Sequence, residues 1–223
     1  MDEVAKYNVE RWQALAQADA VFTRPRLDLD EDSARKYLDP QRRLGDVAGK
    51  NVLCLAAGGG QQSVAFALLG ANVTVVDISE AQLRRDAEAA SHYNLNLNLL
   101  QGDMRDLSHF SERSFDIVWH PYSLNLVPDA RLVFREVARA LRAGGIYHFM
   151  CANPFFIGLG GKDWNGDGYT LRLPYVDGAE ITYQDESWIF RGENHNEPIR
   201  KCKEYRHTLS TLVNGLIEQA FGF

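Results

Sequence analysis

Cysteine is scarce in this sequence: of 223 residues, only Cys54, Cys151 and Cys202 carry thiols. They stand far apart with no C-x-x-C spacing, which excludes a disulfide framework and a structural zinc site and suits a reducing compartment. Clusters of Lys and Arg are also missing. With a net charge of -6 and a pI near 5.5, no surface built to hold nucleic-acid phosphates is expected. No apolar run approaches the ~20 residues needed to cross a bilayer. The opening residues, M-D-E-V-A-K-Y, are acidic where a secretory leader is basic. The expectation is therefore a cytoplasmic protein with neither a membrane nor a nucleic-acid partner. Neither a repeat nor a low-complexity run interrupts it.

What is present centres on Asn51 to Gln62, N-V-L-C-L-A-A-G-G-G-Q-Q. Val52 to Leu55 is an unbroken apolar run, as in a strand covered on both faces. Gly58, Gly59 and Gly60 then let the backbone turn tightly into a helix from about Gln62, with a ligand against their amides. A second strand, Asn72 to Val76, ends in Asp77, nineteen residues after Gly58 (77 minus 58). A carboxylate there, beside a glycine turn, accepts both hydroxyls of a ribose. A nucleoside-containing cofactor follows.

The remaining elements follow in order. Val4 to Ala20 reads as a helix with Val9, Trp12, Ala16 and Ala20 on one stripe, and Phe22 to Gln41 as a charged covering segment. Ser63 to Leu69 is a short helix stopped by Gly70, and Ser79 with Gln82 opens the next as a capping box. Ile78 and Leu83 then flank Asp77, placed to enclose a purine base. Leu95 to Leu100 is a third strand, followed by Gly102, Asp103 and Met104, and the Asp103 carboxylate suits the exocyclic amine of adenine. Ser114 to Trp119 is a fourth strand ending at His120-Pro121-Tyr122. Asp129 caps a helix that runs to Gly144-Gly145, and Gly145 to Met150 is a fifth strand. Alternating strands and helices predict an α/β fold, a doubly wound, mostly parallel sheet with right-handed crossovers.

These residues, from about Asn51 to Met150, resemble the class I S-adenosylmethionine-dependent methyltransferases. V-L-C-L-A-A-G-G-G is similar to the family's glycine-rich motif, V-T-V-V-D-I-S to its acidic second-strand end, and G-D-M to its adenine-reading acid. F-D-I-V-W-H and R-E-V-A-R-A-L-R-A-G-G are similar to its later motifs. Five ordered elements carry weight that a lone glycine loop lacks. The resemblance implies a Rossmann-like methyltransferase fold, S-adenosylmethionine as cofactor, and methyl transfer to a small-molecule acceptor. Cofactor contacts are implied at Ala57, Gly58, Gly60, Gln62, Asp77, Ile78, Leu83, Asp103, Met104 and His120. His120 and Tyr122 are the candidate catalytic residues. Two positions depart from the family: Cys54 stands where the first strand has an acid, and Ala56 where the first glycine stands. Gln61 or Gln62 can compensate with an amide, and Ala56 fits if its φ stays negative. His148 is expected to be a satisfied strand residue.

The implied domain spans 1–223: a helical cap (1–45), a cofactor-binding core (46–150), a substrate-side insertion (151–205) and a C-terminal helix (206–223). In the insertion, Leu171 to Val176 and Glu180 to Phe190 read as a hairpin turning at Asp177-Gly178. Phe155, Phe156, Trp164, Tyr169, Tyr175, Tyr183 and Trp188 supply an aromatic lining or a small core. Asp163 to Gly168 imitates a calcium loop, but Pro174 occupies the position of its bidentate Glu, so no metal is expected. After Arg206 to Phe221, an amphipathic helix, no residues remain for the family's C-terminal hairpin. The chain is then truncated or its sheet edge is open, and an open edge predicts a homodimer. Two other functions fit less of the sequence. A nicotinamide oxidoreductase lacks the third glycine of G-x-G-x-x-G, which is Ser63, and leaves Asp103 unexplained. A non-catalytic module that holds S-adenosylmethionine or its demethylated product is favoured only by Cys54 and Ala56.

Overall fold

The computed structural model describes residues 1–185, 190 and 199–222. Helices α1 (Glu3–Gln17) and α2 (Glu31–Leu38) precede five strands: β1 (Asn51–Leu55), β2 (Asn72–Asp77), β3 (Asn98–Gln101), β4 (Phe115–His120) and β5 (Leu141–Phe149). All pair in parallel, in the order β3-β2-β1-β4-β5. The chain runs outward from β1 through α3 (Gln62–Leu68) and α4 (Glu80–Tyr93), returns to the other side of β1, and reaches β5 through α5 (Ala130–Ala140). The order therefore reverses between β1 and β4, and the carboxyl ends of those strands border the crevice where such sheets bind ligands.

The apolar run in β1 exists because both its faces are covered. Val52 and Cys54 enter a core with Ala34, Val64 and Phe66, whereas Leu53 and Leu55 enter another with Phe134, Val137 and Leu212. Each large side chain buried this way contributes about 1.5–3 kcal/mol.

Several expected boundaries move. β3 begins only at Asn98, because Leu95 and Leu97 pack on the core from the connection after Asn94, whose left-handed backbone caps α4. α5 stops at Ala140 rather than at Gly144-Gly145; the glycines lie within β5, beside a register shift between Phe115 and Ile117. A Cβ at Gly145 would come within 2.9 Å of the Asp116 carbonyl, so the bulge admits only glycine there. On α1 the buried face carries Asn8 and Arg11 as well as Ala5 and Leu15. Polar groups are needed because this helix crosses loops with free carbonyls: Asn8 Nδ2 donates to Leu126 O at 2.9 Å, and Arg11 donates to Arg200 O.

The expected hairpin is absent. β6 (Glu180–Tyr183) pairs antiparallel with β7 (Cys202–Tyr205), and 171–176 forms no strand. Asp177 is not a hairpin turn residue: it accepts from Thr208 N at 2.7 Å and from the Thr208 and Thr211 hydroxyls, fixing the start of α6 (Leu209–Glu218). The far half of that predicted hairpin, with Trp188, lies outside the described residues. In the calcium-like loop Asp163 pairs with Arg172 at 2.9 Å. Leu212 and Leu216 pack α6 against the α5 side of the sheet, while Leu209, Val213 and Ile217 stay exposed.

Asn125 ties the insertion to the sheet. It is 2% exposed, donates to Tyr205 O at 3.0 Å and accepts from Ala152 N at 2.7 Å. Asn125→Ala leaves two buried backbone groups without partners and is expected to cost about 2 kcal/mol. That lowers the unfolding midpoint by about 4–8 °C, measurable by calorimetry; a shift below about 1 °C would contradict the assignment.

Candidate active site

The ladder between β1 and β2 continues to Ala56, whose N–H donates to Val76 O at 2.7 Å. There the backbone turns left-handed, with φ at +47°, against the expectation of a negative φ. An alanine held there costs roughly 1–2 kcal/mol. The bend that follows is held by two buried carboxylates. Asp77 accepts from Gly58 N at 2.8 Å and Ser79 N at 2.9 Å; Asp86, on α4, accepts from Gly59 N at 2.9 Å and from the Ser63 hydroxyl. Burial raises Asp77 to about 6, and burial together with the Asp77 charge raises Asp86 to about 7.

This corrects the expectation that a ligand lies on those amides, since protein carboxylates already hold them. Gly58 is needed because a Cβ would come within 2.9 Å of Asp77 Oδ2. Gly60 serves packing: a Cβ would approach Arg85 O to 2.5 Å and the Ala89 methyl to 2.8 Å. Gln61 Nε2 donates to the carbonyls of Phe22 and Arg24, and Gln62 Nε2 to the Tyr37 hydroxyl, which fixes both side chains by their NH2 groups; an amino group would need the amide oxygens instead.

Around the bend the other predicted residues divide. Ile78 is half-buried beside Asp77, and Ala57 is buried. Leu83 and Met104 are buried, in the two opposite cores of the sheet. Asp103 lies past β3, yet its oxygens take Arg105 Nε at 3.0 and 3.1 Å, Nη2 at 2.6 Å and the Arg105 amide at 2.9 Å. Arg105 also grips Asp2, the N-cap of α1, and that hydrogen bond holds Asp2 down at about 2. Asp103 therefore ties the segment after β3 to the start of α1 through Arg105, with its carboxylate still partly exposed.

His120 is fully buried, with Nδ1 2.9 Å from the Tyr147 hydroxyl, and burial lowers it to about 3. An imidazole that never charges near neutral pH is a weak general base. Tyr122 is exposed at the rim with φ at +42°, and burial of its ring, then Glu204, raise its phenol. His148 is not satisfied as expected: it stacks on Trp119 at 3.8 Å, and its Nδ1 has no partner among the described residues.

Two groups escaped the sequence reading. Asp86 is four residues after Gln82 on the buried face of α4, and a polar pair at that spacing among alanines is the signal that marks it. The other is a buried cluster of Tyr183, Cys202, Glu204, Asp185 and Arg11, formed where β6 and β7 meet α1. Its members are too far apart in sequence to suggest one another.

Whether an adenosyl group suits this crevice is tested by its unsatisfied atoms. Asp77 accepts from Gly58 N on one oxygen and Ser79 N on the other, with the Ile78 amide also favouring the charged carboxylate, and a carboxylate's roughly four acceptor sites leave room for a hydroxyl donor. Gln82 Oε1, whose side chain lies against Gly58 and Gly59, is buried with no partner among the described residues, as are His120 Nε2 and Ser123 Oγ past β4. Buried polar atoms rarely stay unpaired. Their placement at the carboxyl ends of β2 and β4 fits a polar ligand spanning the switch point.

Similarity to known proteins points the same way. The family described as "Methyltransferase domain" matches residues 53–149. The chain is 33% identical over 185 residues to the "Uncharacterized methyltransferase YbaJ" of Bacillus subtilis, covering 82% of this chain and 69% of that one. A "Ubiquinone biosynthesis O-methyltransferase" of Coxiella burnetii is 35% identical over 121 residues, 54% of this chain and half the length of that protein. The crystal structure of an S-adenosylmethionine-dependent methyltransferase from Mesorhizobium loti shares the fold, with a TM-score of 0.62 at 24% identity over 86% of this chain and 83% of that one. With ordered motifs, sheet order and these likenesses in agreement, the chain belongs to the class I S-adenosylmethionine-dependent methyltransferases.

Proposed function

We propose that the enzyme methylates a small-molecule acceptor, and that Asp77 is the centre of its cofactor grip. The observation that carries this is the arrangement of Asp77: both oxygens are fixed by backbone amides beside the bend, and the carboxylate keeps acceptor capacity. When bound, S-adenosylmethionine supplies an electrophilic methyl group on a sulfonium. The chain's own part is to hold and orient. Asp77 takes the ribose hydroxyls, Gln82 Oε1 accepts beside them, Ala57 offers its backbone and Gly58 its carbonyl, and Ile78 covers the base. Asp103, acting through Arg105 and Asp2, draws α1 over the crevice. Because burial keeps His120 neutral, no cation from it opposes the sulfonium; its Nε2 and the rim residue Tyr122 serve orientation and the acceptor wall. Positioning of this kind contributes several kcal/mol to a displacement without covalent catalysis.

A cytoplasmic location is part of this reading, consistent with three free thiols, as is a homodimer through the outer edge of β5, which pairs only with β4 among the described residues. Sedimentation is expected to give twice the 25.2 kDa chain mass; a monomer removes the dimer from the account.

Titration calorimetry with the demethylated product tests the grip. Asp77→Asn is expected to weaken binding about tenfold or more at pH 7.5, since hydrogen bonds to a charged acceptor contribute about 1.5–3 kcal/mol. Protonation removes acceptor capacity, and Asp77 sits near 6. Affinity is therefore expected to fall as pH drops below 6 and to level off above 7, with a flat profile in the variant. Wild-type binding without pH dependence, or tight binding of reduced nicotinamide instead, contradicts the reading. Transfer of labelled methyl to members of a small-acceptor panel is expected; product binding without any turnover favours the non-catalytic module.

A further inference from the structure

The insertion forms a pocket of about 170 Å³, partly open to solvent and apart from the adenosine crevice. Its walls are mixed: Ile157, Leu159, Leu173 and Ile181 supply apolar surface, and charged side chains, Arg206 and Lys162 among them, border it. A hole of similar size, about 150 Å³, accepts benzene in another protein, so the space suits one ring.

Arg206 does not fit a purely structural role. It is 3% exposed, and its guanidinium donates to Pro154 O at 2.7 Å and Ile157 O at 3.1 Å and lies 5.8 Å over the Tyr175 ring. Its Nε–H is buried without an acceptor among the described residues. The acids bordering the cavity are already paired, Asp163 with Arg172 and Glu180 with Lys203. No carboxylate lies within ion-pair distance of Arg206 or Lys162 among the described residues. Two carbonyls and a ring compensate a buried cation only in part; an anion completes it.

The geometry points to a binding site for a ring-sized apolar carboxylate, its acid group paired with the guanidinium of Arg206, which lines the pocket and has no carboxylate partner among the described residues. Arg206 follows Tyr205, whose carbonyl is held by Asn125 in the loop after β4, so the cavity adjoins the sheet's carboxyl edge. That makes it the acceptor's anchoring subsite, an assignment that rests on the methyl-transfer reading above and narrows its acceptor to an acid.

The test is calorimetry of the full chain with benzoate and benzamide, in the presence and absence of the demethylated cofactor product. Benzoate is expected to bind and benzamide to bind at least about tenfold more weakly. Arg206→Gln is expected to abolish that preference while product binding stays at the wild-type level. Since loss of Arg206 also frees two carbonyls, Leu173→Trp provides a second variant that fills the pocket from a partly exposed wall and leaves Arg206 intact; it should abolish binding of benzoate itself. Equal binding of benzoate and benzamide, no benzoate binding, or benzoate binding that survives both substitutions overturns the subsite. Failure of product binding alone counts against the cofactor grip and not against this site.

Discussion

Two buried carboxylates gripping the amides of two glycines, Gly58 and Gly59, hold this protein's functional centre together. Asp77 and Asp86 approach the bend after β1 from β2 and α4, and their bonds to Gly58 N, Gly59 N, Ser79 N and the Ser63 hydroxyl fix strand, bend and both following helices relative to one another. Two acids this deeply buried resist ionisation. What stabilises their charged forms is the set of amide donors that only an open, side-chain-free bend can present, and the absence of Cβ atoms lets α4 close over it.

That arrangement leaves a specific chemistry at the switch point. One carboxylate is aimed with acceptor capacity to spare, and a few buried polar atoms on either side of β1 lack partners among the described residues. The rest of the crevice is built from a distance: Asp103 works through Arg105 and Asp2 to place α1, and Asn125 places β7 and the start of the insertion. In the proposed function, acceptor recognition falls to elements outside the sheet and cofactor recognition to the sheet itself.

Much of the sheet was legible in the sequence because each signal was local. The apolar run at Val52–Leu55, the glycines after it and Asp77 all lie within one βαβ unit, and periodicity alone reveals that unit. Less was legible where partners are distant. Asp103 reads as an open acid until Arg105 is found folded back on it with Asp2 a hundred residues away. Asp177-Gly178 reads as a hairpin turn until Thr208 and Thr211 claim the carboxylate. Ala56 reads as a strand residue because left-handed alanine is unfavourable in isolation, and only the surrounding hydrogen bonds impose it. His120 stands at the expected strand end, but nothing local tells that its ring turns inward to Tyr147.

The most direct measurement of the central claim is a crystal structure of the chain with the demethylated cofactor product. The account predicts both ribose hydroxyls within hydrogen-bond distance of Asp77, with Asp86 still holding Gly59. A ribose bound away from Asp77, or a bend that releases both carboxylates when the ligand enters, would contradict it.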